Sequence, residues 1–560
     1  MTMTINSRDF HQLTTALPSL KKIYQSDTLQ DYFEEEISSF LEDHQKTDET
    51  KLLTSLIQEE VARLYDEETA KEVARQLYFL PIVESGTHLA FLRDYDSPQK
   101  DETRSLLNQN ILISASLLKK AGAKYHLGFY GSNVSLSHPC GGGYYQLGDE
   151  LFPVCSISQI KKGILFQTPK ISNKYLNEDA VILAKTKLLN KTLETLIQTP
   201  ETTYLEKHKA AKKLVEYLVQ TKDLNSFQTA YNALKEGKKA LLHEEFDSLN
   251  TDAKKITGHS FKEIDAEYQK LQQLINKEEL TNLADQTTLV QNETINQILS
   301  GTGISQITVD GTEIARKFLI HAMEDKNSLW NKIFTNPDVF KKFHQSLCGI
   351  RAAWKENESP FIGIGKDKEV AKSFNIPLEA LSHDVATLVP LLKTKKIAPS
   401  SALTCLVTQS ANILAHGGFF QSTYAEKMKE AFQKFLSQTG EKKLAKTLDN
   451  MPVDLMFLSL GVVANSTTKK PLKLSEIAKL PQAAKNRIVE RIPYIGAAKS
   501  VLATASILQN YLNETAPGYI EQEAARNQEI FEAQKISTHK SYVTAQAALL
   551  HMTGGLARCD

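Results

Sequence analysis

Residues suited to chemistry fall in four short stretches. The first is Glu84-Ser85-Gly86-Thr87-His88, where an apolar run gives way to small and polar residues. A turn of this composition frees backbone N–H groups for an anion. His88 can donate to a phosphate or carboxylate, or exchange a proton near neutral pH. A turn holding an ordinary hydrogen-bonded histidine explains the stretch equally simply. The second is Asn108, Asn110 and Ser114, on one helical segment downstream. Their side chains can fix a polar ligand, or cap and solvate a helix face. The third is Ser137-His138-Pro139-Cys140-Gly141-Gly142-Gly143-Tyr144-Tyr145. His and Cys two residues apart suit a thiolate pair, but a zinc site needs three or four ligands. A glycine-rich loop is the simpler reading, and no metal ligand is assigned. The fourth runs from Asn412 to Tyr424 and sets His416, Gln421 and Tyr424 around Gly417-Gly418. On spacing alone it is a turn between helices.

No GxxxxGK[ST], HExxH, CxxC or GxSxG pattern accompanies these stretches. Gly363-Ile-Gly365-Lys366 lacks the third glycine of a dinucleotide fingerprint, and Gly311 is isolated.

The elements that must position these residues follow from periodicity. Residues 1–77 read as a helical region, with Tyr32, Phe33, Ile37 and Phe40 at helical spacing. Tyr78 to Glu84 reads as a buried strand, 104–121 as a helix ending near Gly122, and Lys124 to Tyr130 as a second strand. Further short strands are expected at Asn133–Ser137, Phe152–Ile157 and Ile164–Thr168, making 78–170 the first part of an α/β core. Residues 171–300 read as a helical insertion. Ile182, Leu189, Leu193 and Leu196, then Ile264, Tyr268, Leu271 and Ile275, keep a stripe that fits a coiled coil or an ordinary helical domain. A strand at Ile304–Val309 opens the second core part, 301–437, with Phe361 to Gly365 expected to run into a glycine turn. Residues 438–560 read as a C-terminal helical region.

Composition narrows the class. The 560 residues carry 66 basic and 66 acidic side chains, so no global field draws nucleic acid or an acidic membrane. No run of 18 apolar residues suggests a spanning helix, and the N-terminal stretch lacks the pattern of a secretory signal. Five widely spaced cysteines fit a reducing compartment, so a cytoplasmic location is expected; an exported effector would look the same.

Gly417-Gly418-Phe-Phe-Gln421-Ser-Thr-Tyr424, followed by Met428-Lys429 and Phe432, resembles a motif of the bacillithiol-biosynthesis cysteine-adding enzymes: Gly-Gly-Pro-Gly-Glu-x-x-Tyr, then Leu-Lys, then Phe. Gly417, Gly418, Tyr424, Lys429 and Phe432 match. Gln421 stands for Glu, Met428 for Leu, and Phe419 and Phe420 replace Pro-Gly. Ala398-Pro399-Ser-Ser-Ala-Leu403 resembles the family's Ser-Pro-x-x-Leu-Leu, with Thr404 where the family has Arg. Val83 to His88 stands where the family has a turn after its first strand. Gly131 to Ser137 replaces the family's Glu-Asp-His-Asp. The likeness covers residues 78–135 and 360–435.

The resemblance implies an α/β, helix-rich fold: a Rossmann-like core split by the helical insertion, with a helical element able to support a homodimer. It implies a ligase-like activity adding an amino acid, cysteine among the options, to a small polar metabolite, with ATP or ADP as the nucleotide considered. His88 and His416 are then acid–base candidates. Ser85, Gly86, Thr87, Asn108, Asn110, Gly417, Gly418, Gln421, Tyr424 and Lys429 are binding candidates. The competing expectation is a non-catalytic helical scaffold or secreted effector acting through partner proteins.

Overall fold

The structure is a computed structural model. It describes residues 18–42, 46–85, 110–133, 144–153 except 149, part of 180–192, 250–350 except 252, 353–417 except 368 and 369, 424–452 and part of 472–500. In chain order the N-terminal elements are α1 (Pro18–Gln25), α2 (Leu29–Glu42), α3 (Asp48–Leu64), α4 (Glu67–Phe79), β1 (Ile82–Ser85), α5 (Asn110–Lys120) and β2 (Tyr125–Tyr130). Then come β3 (Tyr144–Leu147), β4 (Glu150–Pro153), α6 (Phe261–Ile275), α7 (Leu283–Leu299), β5 (Ser305–Asp310), α8 (Gly311–Glu324), α9 (Leu329–Thr335) and α10 (Pro337–Leu347). The remainder are β6 (Glu358–Asp367), β7 (Val370–Pro377), α11 (Val385–Lys393), β8 (Ile397–Pro399), α12 (Ser401–Ser410), β9 (Leu414–Gly417), α13 (Ala425–Gln438), α14 (Lys442–Asp449) and α15 (Gln482–Arg491). The chain is helix-rich, with a small parallel sheet. Among the described residues no helix is long and apolar enough to cross a membrane.

Two compact units result. One holds 1–143, 156–170 and 279–560, the other 144–155 and 171–278. In the smaller, β3 and β4 form an antiparallel hairpin, and Glu267 of α6 accepts from the Gly148 N–H at 2.7 Å. Ser260 and Glu263 make a reciprocal capping box that starts α6. Ile264, Leu271 and Ile275 of the expected stripe are buried, while Tyr268 is half-buried.

The larger unit is built on a parallel sheet of order β5-β2-β1-β9. Strands advance from β1 through β2 to β5 on one side, and β9 joins β1 on the other, so the order reverses beside β1. Alternation divides the sheet into two buried faces. Val83, Leu127, Phe129, Ile307, Val309 and Ala415 make one face apolar. The other carries Glu84, His126, Tyr130, Gln306, Thr308, Asp310 and His416, all buried.

β5 ends the sheet, and its outward backbone groups find side-chain partners. The Gln306 N–H donates to Asn296 Oδ1 at 2.7 Å, and Asn296 Nδ2 donates to the Gln306 carbonyl at 3.2 Å. The Thr308 N–H donates to the Tyr65 hydroxyl at 3.1 Å, which donates to the Thr308 carbonyl at 2.9 Å. α7, assigned by periodicity to the insertion, therefore runs antiparallel to β5 as a wall of the sheet.

A second, antiparallel sheet has the order β7-β6-β8. Phe361 to Gly365 does not end in a glycine turn; β6 continues to Asp367 and pairs with β7. Gly363 lies under the ring of Phe374, whose Cζ would sit 2.2 Å from an added Cβ, so glycine is needed for that close approach. The first strand is also shorter than the sequence suggests. Tyr78 and Phe79 finish α4, where they are exposed, and β1 begins after Pro81.

Trp330 stacks on Phe334 and Phe432 with ring centroids 6.3 and 6.4 Å apart, and Phe343 meets Trp330 edge-on at 6.0 Å. This aromatic core seats α13 through Phe432 and Phe435.

Candidate functional site at the sheet's carboxyl edge

In open parallel sheets, ligands bind outside the carboxyl ends of the strands, at the point where strand order reverses. Here that point lies between β1 and β9, whose last registered pair is Ser85 opposite Gly417. Two of the stretches singled out by sequence therefore leave the same sheet edge from neighbouring strands. His416 is buried in β9 and pairs with Glu84 in register. Asn110 begins α5, and Tyr424 immediately precedes α13. His88, Gly86, Thr87, Asn108, Gly418 and Gln421 lie outside the described residues, as do His138 and Cys140.

Lys429 lies on α13. It is buried, with its ammonium 2.9 Å from Glu426 Oε1 and 3.2 Å from the Met451 carbonyl. Met428 and Phe432 are core residues, so this half of the motif packs α13 against the rest of the unit.

Sequence reasoning passed over the polar ends of β2 and β5. Tyr130 and Asp310 are the last registered pair of these strands. The Tyr130 hydroxyl is buried and has no hydrogen-bond partner among the described residues. Burial pushes its phenol well above the usual value, and the negative charges of Asp310, Asp285 and Glu60 add to the effect. Asp310 Oδ1 accepts from the backbone N–H groups of Thr312 at 3.0 Å, Glu313 at 3.2 Å and Ser132 at 3.3 Å. It caps α8, where an acidic side chain is favoured. Burial nonetheless dominates and pushes its carboxyl up to about 7, against the opposing hydrogen bonds from Ser132 and Glu313.

Neighbouring groups complete the polar end. Asn296 of α7 meets Gln306, and Asn292 accepts from Thr308 Oγ1 at 2.8 Å. One turn nearer the carboxyl edge on that face of α7 is Thr288, whose buried hydroxyl also has no partner among the described residues. Asp285, a turn further, takes Arg63 in a two-point ion pair at 2.8 and 2.9 Å. Arg63 also pairs with buried Glu60, and Lys317 lies 3.7 Å from Glu60. Burial opposes the charge on Arg63, yet its hydrogen bonds to Asp285 and Glu60 hold the guanidinium firmly protonated. Beside Asp310, Glu313 is ionised. Burial disfavours its charge, but Arg316, with help from Lys395 and Lys317, brings it down to about 2.

The arrangement can do two things. The Tyr130 and Thr288 hydroxyls can each donate to or accept from a small polar molecule. Asp310 can exchange a proton near neutral pH. The amino end of α8 is already occupied by Asp310, so an anion has no seat there. The one signal for these residues in the sequence is a two-residue polar rhythm, His126-x-Gly128-x-Tyr130 and Gln306-x-Thr308-x-Asp310, within buried strands.

No family model, no curated protein and no solved structure matches the chain.

Proposed function

We propose that the carboxyl edge of the parallel sheet binds a small polar metabolite, with Asp310 as its acid–base group and Tyr130 as an orienting hydroxyl. The observation that carries this reading is the pairing of a buried phenol, without a hydrogen-bond partner among the described residues, with a carboxyl raised to about 7 at that edge. Carboxyls tuned toward neutrality serve general acid–base catalysis, and such groups concentrate at active sites. The proposed reaction is ligase-like, joining an amino acid, cysteine among the candidates, to the metabolite. This rests on the likeness of Gly417 to Phe432 to the cysteine-adding enzymes. ATP or ADP is the nucleotide that this reaction would use, and the self-capped amino end of α8 offers it no seat.

Thermal shift against ATP, ADP and the twenty amino acids tests both levels. A stabilising ligand that loses its effect in Tyr130→Phe and Asp310→Asn supports the site. A shift unchanged in both variants moves the site away from this edge. Stabilisation by neither nucleotide nor amino acid ends the ligase-like reading.

A further inference from the structure

Below the carboxyl edge, the polar face of the sheet holds a hydrogen-bond chain whose direction is set by backbone. The Thr308 carbonyl can only accept, so the single proton of the Tyr65 hydroxyl goes to it, at 2.9 Å. Tyr65 then accepts from Asn292, which must present its NH2 to the phenol and its Oδ1 to Thr308. The Thr308 hydroxyl donates to that oxygen at 2.8 Å and accepts from Gln306 Nε2 at 2.9 Å. Gln306 Nε2 also lies 3.4 Å from the Ile307 carbonyl, an independent reason for this amide orientation. Gln306 Oε1 therefore faces His126 Nδ1 at 2.5 Å, and Nδ1 must carry a proton.

With Nδ1 committed, the second ring nitrogen becomes informative. His126 Nε2 lies 2.7 Å from Glu84 Oε2 and 2.7 Å from the Ser114 hydroxyl, with all three side chains buried. A bare ring nitrogen and an ionised carboxylate oxygen repel at 2.7 Å in a low-dielectric interior. One of the two must be protonated.

We infer that Glu84 and His126 form a buried proton-holding pair, His126 being fixed with Nδ1–H by the chain from Tyr65, and one further proton residing on either Nε2 or the Glu84 carboxyl. In one form the pair is imidazolium and carboxylate; in the other it is neutral imidazole and carboxylic acid. Ser114 from α5, Gln306 from β5 and His416, the register partner of Glu84 on β9, are its polar surroundings. The pair sits one residue below Ser85, so it is a positioning device for the end of β1 whether or not the edge above it is catalytic.

Nitrogen NMR of the histidine rings, with the Glu84 carboxyl carbon as a second probe, tests this in the full chain. The expected wild-type spectrum has a protonated Nδ1 on His126 and one proton shared between Nε2 and Glu84. An unprotonated Nδ1 overturns the inference. So does a bare Nε2 beside an ionised Glu84. Glu84→Gln supplies an amide donor in place of the carboxyl and should leave Nδ1 protonated, because Gln306 and not Glu84 sets it. Loss of the Nδ1 proton in Glu84→Gln would overturn the chain as its cause. A structural role without a fixed tautomer would not produce this pattern.

Discussion

Tyr130 and Asp310 stand opposite each other at the last registered positions of β2 and β5, a phenol without a partner among the described residues beside a carboxyl that burial raises to about 7. The raised carboxyl has a thermodynamic sign. Between the ordinary aspartate value and about 7, the folded chain keeps a proton that the unfolded chain releases. This contribution is therefore full at low pH and is lost as pH rises from about 4 to about 7, up to roughly 4 kcal/mol for a shift of this size. Asp310→Asn keeps an acceptor for the α8 N–H groups and removes the titration. Urea unfolding across this range should show a flatter pH dependence for the variant, and it should gain on wild type as pH rises.

Glu313, in the first turn of α8, has the opposite sign. Arg316 and Lys395 overcome burial and bring its carboxyl down to about 2. Its contribution is present above the ordinary glutamate value and is lost as pH falls toward 2. Glu313→Gln should cost roughly 3 kcal/mol at pH 7 and progressively less by pH 3, measured by the same denaturation series.

The same chemical substitution at two tyrosines should give different results. The Tyr65 hydroxyl satisfies both the N–H and the carbonyl of Thr308, so Tyr65→Phe strands two buried backbone groups and should cost about 2–3 kcal/mol. The Tyr130 hydroxyl has no partner to lose among the described residues, so Tyr130→Phe should leave ligand-free stability within about 1 kcal/mol of wild type, on the stabilised side. Chemical denaturation of the two variants side by side checks the contrast.

Gly311 begins α8 against β2. A Cβ there would lie 2.9 Å from Phe129 Cβ, an atom fixed to the strand backbone. Gly311→Ala should cost about 1–3 kcal/mol through displacement of the helix start. Loss of stability no greater than that of Gly365→Ala, where an added Cβ meets nothing nearer than 3.7 Å, would contradict this packing role.

The sequence made β2 and β5 legible because each is a short apolar run set off by glycine, at Gly122 and at Gly301 and Gly303. It hid β9. Leu414 to Gly417 is only four residues long and follows α12 after a three-residue turn, so its apolar character blends into the helix. Tyr78 and Phe79 misled in the other direction, since β-favouring aromatics there close α4 on its exposed side. Ser85 is legible because small residues after an apolar run mark a strand end, whereas Gly417 reads as part of a turn between helices and stands out only by its likeness to a family motif. Tyr130 and Asp310 are not legible, because a lone polar residue at a strand end looks like one facing water. Only the burial of α7, with Asp285, Thr288 and Asn292 all enclosed, shows that this face is an interior.

The side chains along β5 also govern what can join the molecule. A peptide adding itself as a fifth strand there would need the outward groups of Gln306 and Thr308, which Asn296 and Tyr65 already hold. Recruitment of another chain by strand augmentation, and edge-to-edge polymerisation of this one, are both blocked along that side unless α7 and Tyr65, at the end of α3, are first pulled away.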